Sequence, residues 1–182
     1  MIKRMLSEIE ACVLASAWAD GPLTAYAIRQ VFLKSPTPQW SGSAGTVYPL
    51  FERLLSEGLI RSKTIATGKR EAQQVSPTAA GIRALKRWMA IPISDWVAGV
   101  PPDPLRTRIR FLALLPKGEQ RAFVSNAWQQ MQIQLVALEK DCETPNSAGP
   151  FYDLMARGAL LSMRSRCLFL KEIAHALGAW QE

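Results

Sequence analysis

Two short stretches of this 182-residue chain hold most of the side chains suited to a chemical task. The first is Ser41-Gly42-Ser43-Ala44-Gly45-Thr46-Val47-Tyr48-Pro49, followed by Arg53, and the second is Gly68-Lys69-Arg70. Hydroxyls donate to phosphate oxygens, lysine and arginine pair with them, and small residues let a backbone come close. Covalent chemistry has much less to work with. His175 is the only histidine, so a histidine metal site or a Ser-His-Asp triad has little to build on. Cys12, Cys142 and Cys167 lie far apart without metal-ligand spacing; they read as small buried core residues, with a redox-sensing thiol as the alternative. There is no glycine-rich phosphate loop and no tight carboxylate group. An enzyme is not expected, and no catalytic or metal-binding residue is assigned.

The elements that must position these side chains follow from periodicity. Ser7 and Glu10 have capping-box spacing, and Leu6, Ile9, Val13 and Ala17 then mark one apolar helix face. Asp20-Gly21-Pro22 stops that helix. Thr24 suits the N-cap of a second, short helix with Ala25, Ile28, Val31 and Phe32 inward, and Ser35-Pro36-Thr37-Pro38 breaks it. A third helix over about 43–57 has Ser43 as cap, Val47, Leu50, Phe51 and Leu54 buried, and Thr46, Pro49, Arg53 and Ser56 on a polar face. Pro49 is tolerated if this helix begins near Thr46, and Gly58 ends it in the left-handed conformation. Leu59 to Ile65 and Arg70 to Val75 read as strands around a turn at Ala66-Thr67-Gly68-Lys69. Ser76-Pro77 then opens a fourth helix with Pro77 at its first position. Three helices, a hairpin and a helix make a winged helix-turn-helix, so the fold class is mainly α with a two-stranded wing and a helical C-terminal region.

In such an arrangement the third helix meets the major groove and the hairpin, about 66–71, meets the backbone or minor groove. The candidate DNA contacts are Tyr26, Ser41, Ser43, Gly45, Thr46, Tyr48, Pro49, Arg53, Lys69 and Arg70. Charge agrees without deciding. The net charge is +7, with 12 Lys/Arg against 6 Asp/Glu in residues 1–90 and 10 against 9 in residues 91–182. The recognition face itself carries only Arg53, so backbone contacts are expected to outweigh base readout.

Ala25-Tyr26-Ala27-Ile28, Gly45-Thr46-Val47-Tyr48-Pro49-Leu50, Arg53-Leu54, Glu57-Gly58-Leu59-Ile60 and Thr78-Ala79-Ala80-Gly81 occur in an order and spacing that resembles the PadR family of transcriptional regulators. The resemblance covers roughly residues 6–90. The remainder resembles the subfamily with a virulence-activator-type C-terminal domain, on length, linker and pattern. It implies a DNA-binding regulator, more a repressor than an activator, with a pseudo-palindromic operator as partner. Ala25 in place of glycine, Val75 in place of a wing tyrosine and Ala79 in place of an acid are departures from the family pattern.

A proline-rich linker, 91–104, separates a DNA-binding domain, 1–90, from a helical dimerisation domain, 105–182. Asp103-Pro104 reads as cap and first-turn proline of a helix running to Leu115, with Arg106, Arg108 and Arg110 near its start; Pro116 and Gly118 then interrupt the pattern. Val124, Trp128, Met131, Leu135, Leu138 and Cys142 form one heptad stripe, and Leu160, Met163, Cys167, Leu170, Ala174 and Leu177 form another. A homodimer seam is expected at these positions, with an antiparallel helix pair inside one chain as the alternative. Trp96, Trp128 and Trp180 read as core or interface residues, and a small aromatic effector is the other possibility; no cofactor is implied. Glu8 and Glu10 interrupt any signal-peptide core and no apolar run is long enough for a membrane span, so no membrane partner and a cytoplasmic location are expected. A winged-helix protein-interaction module without DNA binding remains the alternative function.

Overall fold

The computed structural model describes residues 4–34, 44–67, 70–143 and 150–178, which fall into two compact units, 1–94 and 95–182. The first unit holds α1 (Glu8–Ala19), β1 (Leu23–Thr24), α2 (Ala25–Lys34), α3 (Ala44–Ser56), β2 (Ile60–Thr67), β3 (Arg70–Pro77) and α4 (Ala79–Trp88). The predicted capping box closes α1: the Ser7 hydroxyl accepts from the Glu10 amide, and the Glu10 carboxylate accepts from the Ser7 amide at 2.8 Å. Val13, Ala17, Leu6 and Cys12 are buried as expected, but so are Ala11 and Leu14. The reason is that α1 is the central helix, with α2, α4 and β3 packed around it. In α2, Ile28 and Phe32 point inward and Thr24 caps the first turn, whereas Val31, expected inside, is exposed.

The three strands form an antiparallel sheet in the order β1-β3-β2. The wing strands run longer than the sequence suggests: Ala66 and Thr67 are paired strand residues opposite Glu71 and Arg70. Pro77 closes β3 rather than opening α4, and Thr78 is the cap, its hydroxyl accepting from the Gly81 amide at 3.1 Å. A proline fits a strand end, where no amide has to be donated, and threonine fits the cap. Gly58 lies at φ 67°, the left-handed helix end expected of it. Val47, Leu50, Phe51 and Leu54 of α3 are buried against the same core as Leu14, Ile28 and Val75.

The second unit holds α5 (Asp95–Ala98), α6 (Pro104–Arg110), a 3-10 turn (Leu112–Leu114), α7 (Lys117–Glu143) and α8 (Pro150–Ala176). Asp103 caps α6 through the Leu105 amide at 2.9 Å, with Pro104 at the first position. The helix stops at Arg110 instead of running to Leu115, and Gly118 falls inside the first turn of α7. Arg121 donates to the Leu177 carbonyl, Gln132 to the Cys167 sulfur and Arg164 to Glu139, so α7 and α8 run antiparallel. Val124, Met131 and Leu138 of α7 and Leu160, Cys167, Leu170 and Ala174 of α8 are buried; Trp128, Leu135, Met163 and Leu177 are partly buried. The two heptad stripes thus close on each other within one chain. Two long helices joined by a short connection return antiparallel and pack their apolar faces on each other, which is the intrachain pair that the sequence offered as the alternative. Cys142, at the end of its stripe, is exposed rather than buried.

Candidate nucleic-acid interface

The interface builds from α3 outward. Burying Val47, Leu50, Phe51 and Leu54 turns Pro49, Glu52, Arg53 and Ser56 to solvent, with Thr46 partly buried and Tyr48 53% exposed. Gly45 lies in the first turn, which carries no acidic side chain, so the positive end of the helix dipole is not offset there. Pro49 sits further inside the helix than expected, because α3 begins at Ala44. Having no amide, it leaves the Gly45 carbonyl without its usual i+4 partner. Tyr26 is exposed on α2. Ser41, Ser43 and Lys69 lie outside the described residues, as do Trp40 and Trp180.

Arg53 stands on the outward polar face as expected, with its side chain 51% exposed. Yet its guanidinium lies 2.7 Å from Oε1 of Glu10, a carboxylate of α1 that is 1% exposed. Arg4 donates to both oxygens of the same carboxylate, at 2.7 and 2.8 Å, and also to Glu57 just beyond α3. Burial alone would push the Glu10 carboxyl up; hydrogen bonds from Arg4 and from the Ser7 amide and hydroxyl outweigh it and hold the group at about 2. Arg53 is therefore locally neutralised, and Glu52 beside it adds a negative charge to the exposed face.

Positive charge is concentrated on the wing instead. In the β2–β3 register Ile60 and Ser62 share a face with Pro77 and Val75, the core side, while Arg61 and Lys63 share the opposite face with Ser76 and Gln74. Arg61 donates to the Ser76 hydroxyl at 3.2 Å, and Lys63 is exposed. Sequence reasoning passed over Arg61 and Lys63 as candidates, although their i, i+2 spacing in a strand was the available signal. It also passed over Glu10 and Glu52; Glu10 could not be paired with Arg53 from a separation of 43 residues.

Among the described residues no group of three or more His, Cys, Asp or Glu could hold a metal ion. In the second unit, an open cleft of about 400 Å³ between α7 and α8 is lined by Trp128, Gln132, Leu135, Arg164, Leu168 and Lys171 among others. The Lys171 ammonium lies 5.5 Å from the Trp128 ring centre. Trp96 is exposed on α5. Among the described residues no helix is long and apolar enough to cross a membrane.

No family model matches the sequence, and no curated protein is significantly similar to it. Solved structures are. Bacillus subtilis PadR in complex with operator DNA superposes with a TM-score of 0.78 at 20% identity, covering 94% of this chain and 99% of that one. The PadR-like transcriptional regulator BC1756 from Bacillus cereus gives 0.74 at 16% identity over 97% and 99%. The Vibrio cholerae virulence activator AphA gives 0.66 at 16% over 93% and 98%. The chain thus has the fold of PadR-type regulators over nearly its whole length, the fold that its sequence elements resemble.

Proposed function

We propose that this protein is a homodimeric, sequence-specific DNA-binding regulator of transcription without catalytic activity. In this reading α3 enters the major groove by its N-terminal turns, with Gly45, Thr46, Tyr48 and Pro49 nearest the DNA and Tyr26 of α2 beside the backbone. Arg61, Lys63, Lys69 and Arg70 of the wing meet phosphates or the minor groove. Residues 1–90 are the DNA-binding domain, and the helices after the 91–104 linker join two copies on a pseudo-palindromic operator with half-sites about one helical turn apart. The observation that carries the reading is the pairing of an outward polar face on α3 with a basic outer face on the adjoining wing. It is supported by a fold shared with an operator-bound regulator.

Titration of the purified protein onto the DNA upstream of its own gene, across a salt series with competitor DNA, tests this. Competitor-resistant binding that falls steeply as salt rises is expected, because phosphate contacts release counterions. Replacing Lys63, Lys69 and Arg70 together by alanine should lower the slope of log K against log salt by about one for each phosphate interaction removed. Binding that ordinary competitor DNA abolishes would favour a winged-helix protein-interaction module, a reading to which the weak positive charge of α3 lends weight.

A further inference from the structure

We propose that Glu10 and Arg53 form a positioning pair: Arg53 serves DNA recognition by holding α3 against the buried Glu10 carboxylate of α1, not by touching phosphate. The inference rests on the DNA-binding reading and changes the role of its most prominent cation.

The geometry is that of an internal clamp. Glu10 accepts hydrogen bonds at Oε2 from Arg4, the Ser7 amide and the Ser7 hydroxyl at 2.7, 2.8 and 3.0 Å. Oε1 faces Arg4 at 2.8 Å and Arg53 at 2.7 Å. Arg4 continues to Glu57, with hydrogen bonds of 3.1, 2.8 and 2.7 Å. Two carboxylates and two guanidiniums therefore neutralise one another across the start of α1 and the C-terminal end of α3. A buried carboxylate demands its partners, since leaving it unpaired is heavily penalised. Arg53 is thereby drawn toward the protein, and an ion so closely paired contributes little to the field at a phosphate. The carboxylate also sits on the better anchored element. α1 packs on β3, α4 and α2, whereas α3 packs on α2 and β2, so Glu10 ties the reading helix directly to the centre of the unit.

A direct phosphate contact and a positioning contact leave different marks in salt. Arg53→Met is expected to weaken operator binding by about tenfold or more while leaving the slope of log K against log salt unchanged. Glu10→Gln should weaken it comparably although position 10 is buried, and the double variant should be no worse than the weaker-binding single. A slope lower by about one in Arg53→Met, effects that multiply in the double variant, or unaltered operator affinity would each overturn the proposal. Should Glu10→Gln fail to fold, Arg53→Met decides alone, its side chain being half exposed. Hydrogen exchange needs no DNA and separates this proposal from the regulator reading. Arg53→Met should speed exchange in the last turns of α3 by about tenfold and leave Ala84 and Leu85 of α4 unaffected. Unchanged α3 exchange would refute the clamp even if the protein bound no operator at all.

Discussion

At Glu10 two effects of opposite sign meet: burial disfavours the charged carboxylate, and hydrogen bonds from Arg4 and Ser7 favour it more strongly. The folded group titrates at about 2 against an ordinary 4.5, so it binds its proton less readily folded than unfolded. Its contribution to stability is complete above pH 4.5 and is lost as pH falls towards 2. The shift corresponds to something on the order of 3 kcal/mol. Denaturant melts of the intact protein between these limits should lose stability with acid, and Glu10→Gln should flatten that part of the curve; an equally steep curve in the variant would exclude Glu10 as the cause. At two of the cysteines burial prevails instead. Burial, with Glu8 adding to it, pushes the Cys12 thiol up to about 12, and burial also raises Cys167. Cys142 is exposed. Iodoacetamide should therefore modify Cys142 in the native protein and reach Cys12 only on unfolding; native labelling of Cys12 at a comparable rate would contradict its burial.

At the scale of elements, two of the sequence motifs are physically joined. The Thr78 hydroxyl accepts from the Gly81 amide and donates to the Gly58 carbonyl at 2.7 Å, while its own amide donates to the Leu59 carbonyl. One threonine thus caps α4 and fastens it to the turn that ends α3, which joins the Glu57-Gly58-Leu59-Ile60 and Thr78-Ala79-Ala80-Gly81 motifs physically. Gly81 is required by space: a Cβ there would run into the Leu59 carbonyl oxygen. Gly81→Ala should destabilise the first unit by about 1–3 kcal/mol, read as a lower thermal midpoint, even though alanine is the better helix former; a raised midpoint would show that propensity wins. Local signals of this kind are legible in the sequence. The Ser7–Glu10 box, the left-handed Gly58, the buried face of α3 and the Asp103-Pro104 helix start all lie within a few residues of what they act on. Pro77 misleads because a proline after serine suits a helix start as well as a strand end, and only the pairing of Ile60 with Pro77 decides between them. The Glu10–Arg53 pair is not legible, because nothing local distinguishes an outward arginine from one that folds back onto a distant carboxylate. Likewise, Asp103 reads as a cap, while its two hydrogen bonds from Arg166 at 2.9 and 3.0 Å depend on the tertiary packing of α6 against α8.

On the scale of the whole molecule, the question is which surface is left for the second copy of the proposed homodimer once the heptad stripes have been used within the chain. Leu154, Leu161 and Leu168 of α8 repeat at seven residues, are 61%, 57% and 62% exposed, and are joined by exposed Phe151 and Met155. A monomer seldom leaves such a row uncovered, and the two-fold operator proposed above would call for a partner of the same sequence. Sequence periodicity could not rank the two rows, because α8 has apolar residues on both the packed and the open side and each row satisfies a heptad rule. Two substitutions separate them. Leu161→Glu should leave the chain folded, with stability changed by less than about 1 kcal/mol as for other surface positions. It should also shift the sedimenting species from dimer to monomer and weaken binding to a two-half-site operator far more than to a single half-site. Leu170→Ala, at a fully buried position, should instead cost about 2–5 kcal/mol in folding stability and affect association only through unfolding. A Leu161→Glu protein that remains a dimer with full operator affinity would place the partner elsewhere, and the exposed row would then have to be covered by something other than a second copy.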